Sequence, residues 1–244
     1  MSGLQIFNAH PRLYWGQYGA NADPALLEMG AVQDSQGRAL GLTRVGPWTF
    51  HTTGVLGASK DAQGNWTERG FPRWATLPSE QDLATGRHWH FMFAWLIVTN
   101  SALYWLYGAL SGHFRKDLWL DRRERHPRHI LRDIWDHIRL RRPVGAAASR
   151  YNTLQKMAYL VVVFGLAPLM LLTGLTMSPG MDAACPFLLD LFGGRQSART
   201  LHFVTANLIV LFVAVHLFEV LVSGPWNEVR SMITGWFVIP GDEP

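Results

Sequence analysis

A single cysteine, Cys185, occurs in 244 residues. That excludes an intramolecular disulfide, a Cys-x-x-Cys-His attachment for covalent haem and a self-contained iron–sulfur cluster. Walker loops, G-x-S-x-G and H-E-x-x-H are missing too, so the sequence shows no ordinary nucleotide or hydrolase site. Charge is absent from residues 91–110 and 157–177, and residues 201–222 carry only Glu219. Each stretch is long enough to cross about 30 Å of hydrocarbon. With 48% hydrophobic residues and 11 Trp, the composition is that of a membrane protein. Pro168 predicts a kink in the second stretch, where Gly165 and Gly174 leave backbone open to a neighbour or a cofactor.

Charge is concentrated between the first two stretches. Residues 115–150 hold eleven of the 22 Lys and Arg, which the positive-inside rule assigns to the cytoplasm. The connection 178–198 has Arg195 as its only basic residue and belongs outside. A basic loop between two spans sets topology and meets anionic lipid, and is not read as a nucleic-acid patch. Its His126, His129 and His137 sit among arginines that would repel a cation, so they read as solvated. Residues 12–85 are polar, rich in Gly and Trp, and too long for a simple linker. LTRVGPW, KDAQGNW and GFPRW predict short turns and a hairpin in an otherwise irregular periplasmic segment, a flap over the helix ends and a docking platform.

The last stretch, LHFVTANLIVLFVAVHLFEVLV, contains His202 and His216. Fourteen residues come within about 40° of whole helical turns and rise about 21 Å, so both imidazoles share one face near opposite membrane surfaces. A lone histidine on an apolar face is usually a hydrogen-bonded packing residue, yet an ionisable group at membrane depth is costly and marks function by default. The pair suits two stacked haems, because imidazole is an ordinary axial donor and Ala206, Ile209 and Val213 leave room for a flat macrocycle. In RHWHF, at the mouth of the first stretch, His88 and His90 lie about 200° apart on a helix, so one of them can face His202. His90 is the deeper and shares a face with Ala94 and Ile97. His216 has no matching intramembrane histidine in the sequence.

MSGLQIFNAHP reads as the last turns of a membrane helix stopped by Pro11, too short to span and without the basic start of a signal peptide. The expectation is that Met1 lies inside a first helix whose upstream part would supply the partner of His216. The chain then divides into the end of that helix (1–11), a periplasmic segment (12–85), a span (86–112), a basic cytoplasmic loop (113–150), a span (151–177), a periplasmic loop (178–198), a span with the histidine pair (199–222) and an interfacial tail (223–244). The fold class expected is an all-α membrane protein, a four-helix transmembrane bundle with its first helix incomplete.

With RHWHF opening one span and H-x13-H in the last, the chain resembles the four-helix dihaem cytochrome b subunits of membrane-bound oxidoreductases, such as formate dehydrogenase gamma and nickel–iron hydrogenase cytochrome b. MSGLQIFNAHPRLYWG, the pattern from Trp89 to Leu96 and the ending RSMITGWFVIP are closer still to the thiosulfate reductase cytochrome b branch. The resemblance implies two haems b in a complete protein, the outer held by His90 and His202. The inner would be held by His216 and a first-helix histidine that this sequence lacks. It also implies a periplasmic molybdopterin oxidoreductase as partner, membrane quinone as the other redox partner, and a multi-pass location in the bacterial inner membrane.

Arg87, Arg195 and Arg199 at the outer end either pair with haem propionates or anchor at the interface. Glu219 either relays protons to a quinone or faces interfacial water. The tail, with Trp226, Met232, Trp236 and Phe237, reads as an interfacial helix that could also touch a quinone headgroup. Two rivals remain open. One is a non-haem membrane anchor for a periplasmic enzyme; the other is a transporter with a histidine proton path, which expects more polar residues than the scattered Thr, Asn and Ser of the other spans.

Overall fold

The computed structural model describes residues 1–20, 23–139, 152–223 and 225–236. Part of the basic loop (140–150) and the tail from Phe237 onward lie outside the described residues, as do the side chains of His137 and Met232. By its contacts the chain divides into two compact units, residues 1–101 with 171–202 and residues 102–170 with 203–244.

Three helical segments are long and apolar enough to cross a membrane: Leu83–Ser111, Thr153–Thr176 and Arg195–Val222. They coincide with the three stretches of low charge. The first is α2 (Leu83–Ser111); the third lies within α8 (Arg195–Ser223), preceded by the short helices α6 (Pro179–Ala184) and α7 (Phe187–Phe192). The second is compound, with α4 (Thr153–Val161), a π turn at Val162–Leu166 and α5 (Ala167–Thr176). Pro168 has no N–H to give the carbonyl of Phe164, and the wider i→i+5 turn directly before it takes up that defect. The irregularity expected at Pro168 is thus a π bulge. A short helix, α1 (Ser2–Phe7), opens the chain. The four-helix count is therefore not reached among the described residues, where three helices qualify as spans.

In the first unit, the segment expected to be irregular carries, among the described residues, six β strands in two sheets. Strands β1 (Arg12–Leu13), β2 (Leu27–Gln33), β3 (Ala39–Val45) and β4 (Trp48–His51) form an antiparallel meander, and β5 (Ala58–Lys60) pairs with β6 (Trp66–Glu68). The turns explain the pairing. D-S-Q-G-R joins β2 to β3 and D-A-Q-G-N joins β5 to β6, and both fold alike. Asp34 Oδ1 accepts from the N–H groups of Gln36 and Arg38, and Asp61 Oδ1 from those of Gln63 and Asn65. Gly37 and Gly64 take the left-handed position at φ +74° and +86°. Glu28 of β2 bridges Arg12 and Arg44 on the flanking strands, at 2.6 and 2.5 Å. Only one hairpin was legible beforehand because these strands are short and alternate weakly.

The same unit ties this sheet region to the helices. Asn8 and Phe71 exchange hydrogen bonds, the Asn8 carboxamide donating to the Phe71 carbonyl and accepting from its N–H, and the Phe7 ring meets Phe71 edge-on at 5.6 Å. Arg69, nearly fully buried, donates to the carbonyls of Phe71 and Ser79 and to the Thr76 hydroxyl, closing the connection that leads into α2. Asp82 then caps α2 by accepting from the N–H and hydroxyl of Thr85. In the second unit, Gly108 of α2 lies against the Phe114 ring, which meets Phe164 at 5.0 Å, while Trp105 meets Phe164 at 4.9 Å. The π turn thereby seats Phe164 in an aromatic cluster.

Candidate functional site

The first unit brings His90 of α2 and His202 of α8 together. Their ring centroids are 6.1 Å apart and the planes meet at 71°. His88 is exposed, as the half-turn offset between the two histidines of RHWHF requires.

Local structure fixes how α8 presents His202. The chain from His10 to Gly16 clasps the first turns of that helix. Gly16 O accepts from the N–H groups of Gln196 and Ser197, which as first-turn donors have no partner within the helix. Ser197 Oγ accepts from the Gly16 N–H at 2.6 Å, and the Thr200 hydroxyl donates to the Tyr14 carbonyl at 2.6 Å. Arg199 donates to the His10 carbonyl and lies over the Phe7 ring at 5.4 Å. Ser197 and Ala198 are fully buried in this contact. The rotation of α8 about its axis is thus set one turn before His202.

Each imidazole has a hydroxyl beside Nδ1. Thr173 Oγ1 of α5, fully buried, is 3.1 Å from His202 Nδ1, and Ser2 Oγ of α1 is 3.5 Å from His90 Nδ1. A proton held on Nδ1 by such a partner leaves Nε2 as the basic nitrogen for a metal. Glycines stand at both rings. A Cβ on Gly3 would come 3.5 Å from His90 Cε1, and one on Gly174 would come 3.3 Å from His202 Cε1. Metal–imidazole bonds run about 2 Å, so two imidazoles on opposite sides of one metal have centroids about 6 Å apart. The observed separation meets that requirement, and two nitrogen donors without thiolate suit haem iron. Among the described residues no group of three or more His, Cys, Asp or Glu gathers to hold a metal by itself; a macrocycle that supplies its own four donors needs only the two axial histidines. The residues present fit haem.

His216, in the second unit, lies among aromatic rings. Phe212 stacks on it at 5.9 Å and Tyr159 meets it edge-on at 6.1 Å. Among the described residues its ring neighbours are these two aromatics and not a second histidine, so they do not complete a bis-histidine site there. The three arginines are placed differently. Arg195 pairs with Asp182 at 3.2 Å, Arg199 is engaged by His10 and Phe7, and Arg87 is exposed. Sequence reasoning passed over Ser2 and Thr173. A threonine beside Gly174 inside an apolar span was the available signal for the second, whereas nothing marked Ser2.

Comparison with known proteins is decisive at the level of the family. The family model described as prokaryotic cytochrome b561 matches residues 1–235. The chain belongs to that family. Membership implies haem b and makes the chain a membrane protein, which its three apolar helices fit, as does a bacterial inner membrane. Two curated relatives match about half of this cytochrome b561 chain. One, provisionally named protein-methionine-sulfoxide reductase subunit YedZ1, from Azospira oryzae, is 32% identical over 129 residues, covering 53% of this chain and 61% of its own. The other, provisionally named cytochrome YdhU, from Escherichia coli, is 31% identical over 131 residues, covering 52% of this chain and 48% of its own. The chain thus spans about half to three-fifths of the length of these relatives. No solved structure gives a significant match.

Proposed function

We propose that the chain is the b-type cytochrome subunit of a membrane oxidoreductase, carrying electrons between a periplasmic partner of the molybdopterin class and the quinone pool. The observation that carries this reading is the approach of His90 and His202 to 6.1 Å, each with a hydroxyl at Nδ1. Haem b held there would supply one-electron redox chemistry, which suits shuttling. His90 and His202 would hold the iron, and Ser2 and Thr173 would orient the two rings. Gly3 and Gly174 keep the ring edges free of side chains. Arg199, already at the clasp, and Arg87, exposed at the start of α2, are the cations available to propionates.

The name of the Azospira relative, a reductase subunit, supports service to a partner oxidoreductase. His216, with Tyr159 and Phe212, marks the place of a second haem only if another chain or segment supplies its second ligand. The test is a reduced-minus-oxidised spectrum of the purified chain alongside His90→Ala and His202→Ala. The reading expects a b-type spectrum that both substitutions abolish or convert to high spin. If either variant keeps the full low-spin spectrum, that residue is not a ligand, and a chain that never carries haem leaves the anchor reading in possession.

A further inference from the structure

The basic loop contains an open basic groove apart from the proposed haem site. In the second unit, Arg122, Arg123, His126, Arg128, His129 and Arg132 line this shallow groove, of about 570 Å³. Helix α3 (Pro127–Ile138) supplies three of them. At 100° per residue, Leu131, Ile134 and Trp135 fall within about 100° of one another, and Arg128 and Arg132 follow immediately on one side of that arc. Asp133 and Asp136 lie beyond the arginines, away from the apolar face, where they approach His129 at 3.8 Å and Arg132 at 3.9 Å. Leu131, Ile134 and Trp135 are exposed although large and apolar, while Ile130, at the edge of the same face beyond Ile134, is half-buried. A helix with an exposed apolar stripe bordered by arginines matches a bilayer interface, where acyl chains lie directly beneath phosphates.

The position agrees. The groove belongs to the connection between two spans, and Lys156 in the first turns of α4 holds Glu124 of that connection at 2.8 Å. The asparagine–glutamine capping box at Asn152 and Gln155 fixes where α4 begins. The connection that carries the basic residues is therefore tied to the start of a span, where the headgroups of a bilayer would lie. We propose that this groove binds the phosphate headgroup of an anionic phospholipid of the inner leaflet, with the acyl chains against Leu131, Ile134 and Trp135. Arginine suits the role because its planar fork binds phosphate oxygens in pairs and stays charged. The site is independent of the haem reading.

Native mass spectrometry of the delipidated full chain in detergent tests it, with phosphatidylglycerol, phosphatidylcholine and inorganic phosphate as separate probes. Phosphatidylglycerol is expected to bind with clear preference over phosphatidylcholine. Arg128→Gln/Arg132→Gln should weaken it roughly thirty-fold, the weight of two charges at an anionic surface. Arg115→Gln/Lys116→Gln, which removes equal charge from the same loop outside the groove, should leave it within about two-fold. Arg128→Lys/Arg132→Lys keeps the charge but loses the paired donors, so its loss should fall between wild type and the glutamine pair, which separates loss of charge from loss of fold. Equal binding of the two lipids, or equal losses in the two charge-removing variants, overturns the site. Inorganic phosphate that displaces phosphatidylglycerol at comparable concentration overturns the lipid assignment in favour of a soluble phosphate ligand.

Discussion

At the scale of single residues, the outer site depends on a few small side chains. Thr173 has no exposure, and its hydroxyl lies 3.1 Å from His202 Nδ1. Thr173→Val keeps its shape and removes the hydroxyl. It is expected to lower haem affinity by roughly 10- to 100-fold, as loss of an outer-shell partner does, and to shift the midpoint potential while the spectrum stays low-spin. A potentiometric titration reads this, and an unchanged potential and affinity would show that the hydroxyl only packs. Gly174→Leu places a side chain where even a Cβ comes 3.3 Å from the His202 ring, so this variant should lose haem at normal expression. The His90 and His202 pairing could be seen from the sequence because RHWHF and the H-x13-H spacing are unusual in apolar segments. The hydroxyls were obscure because serine and threonine occur throughout membrane helices and their contacts depend on tertiary packing.

At the scale of elements, buried polar groups hold the segment before α2. Arg69 is 3% exposed and its partners are two carbonyls and a hydroxyl, with no carboxylate among them; burial pushes its pKa down. Arg69→Leu would leave those acceptors unsatisfied at a cost of about 3 kcal/mol, seen as a lower melting temperature; a change of less than a degree or two would mean that water replaces the guanidinium freely. The D-x-Q-G turns make a second test. The backbone N–H of Arg38, then its guanidinium, holds the Asp34 carboxyl below the usual carboxylate range. A carboxylate depressed in the folded state stabilises fully above its unfolded value near pH 4 and loses that contribution as pH falls. Protection of residues 34–38 against hydrogen exchange, taken relative to the intrinsic rate at each pH, should therefore fall below about pH 4, and Asp34→Ala should show the lower protection at every pH. The spans were legible from hydropathy alone. The sheet was not, because its strands run two to seven residues and depend on turn geometry more than on alternation. The effect of Pro168 was foreseen as a kink, and the π turn is the form it takes.

At the scale of the whole molecule, membership of the cytochrome b561 family, three helices fit to span a membrane and the 6.1 Å approach of His90 and His202 all support the proposed function. The clasp of residues 10–16 around the start of α8 also ties the segment before α2 to the helix that carries His202, so under the proposed function damage there should be felt at the haem. Ser197→Leu, at a fully buried position bonded to Gly16, is expected to reduce haem occupancy without touching either imidazole; full occupancy would mean that α8 holds His202 unaided. The most direct measurement is a pyridine haemochrome assay combined with electron paramagnetic resonance on the purified, oxidised chain. The account predicts haem b in at least equimolar amount, low-spin, with the signal of two imidazole ligands. Protein free of haem, or a high-spin iron with an open axial position, would contradict it.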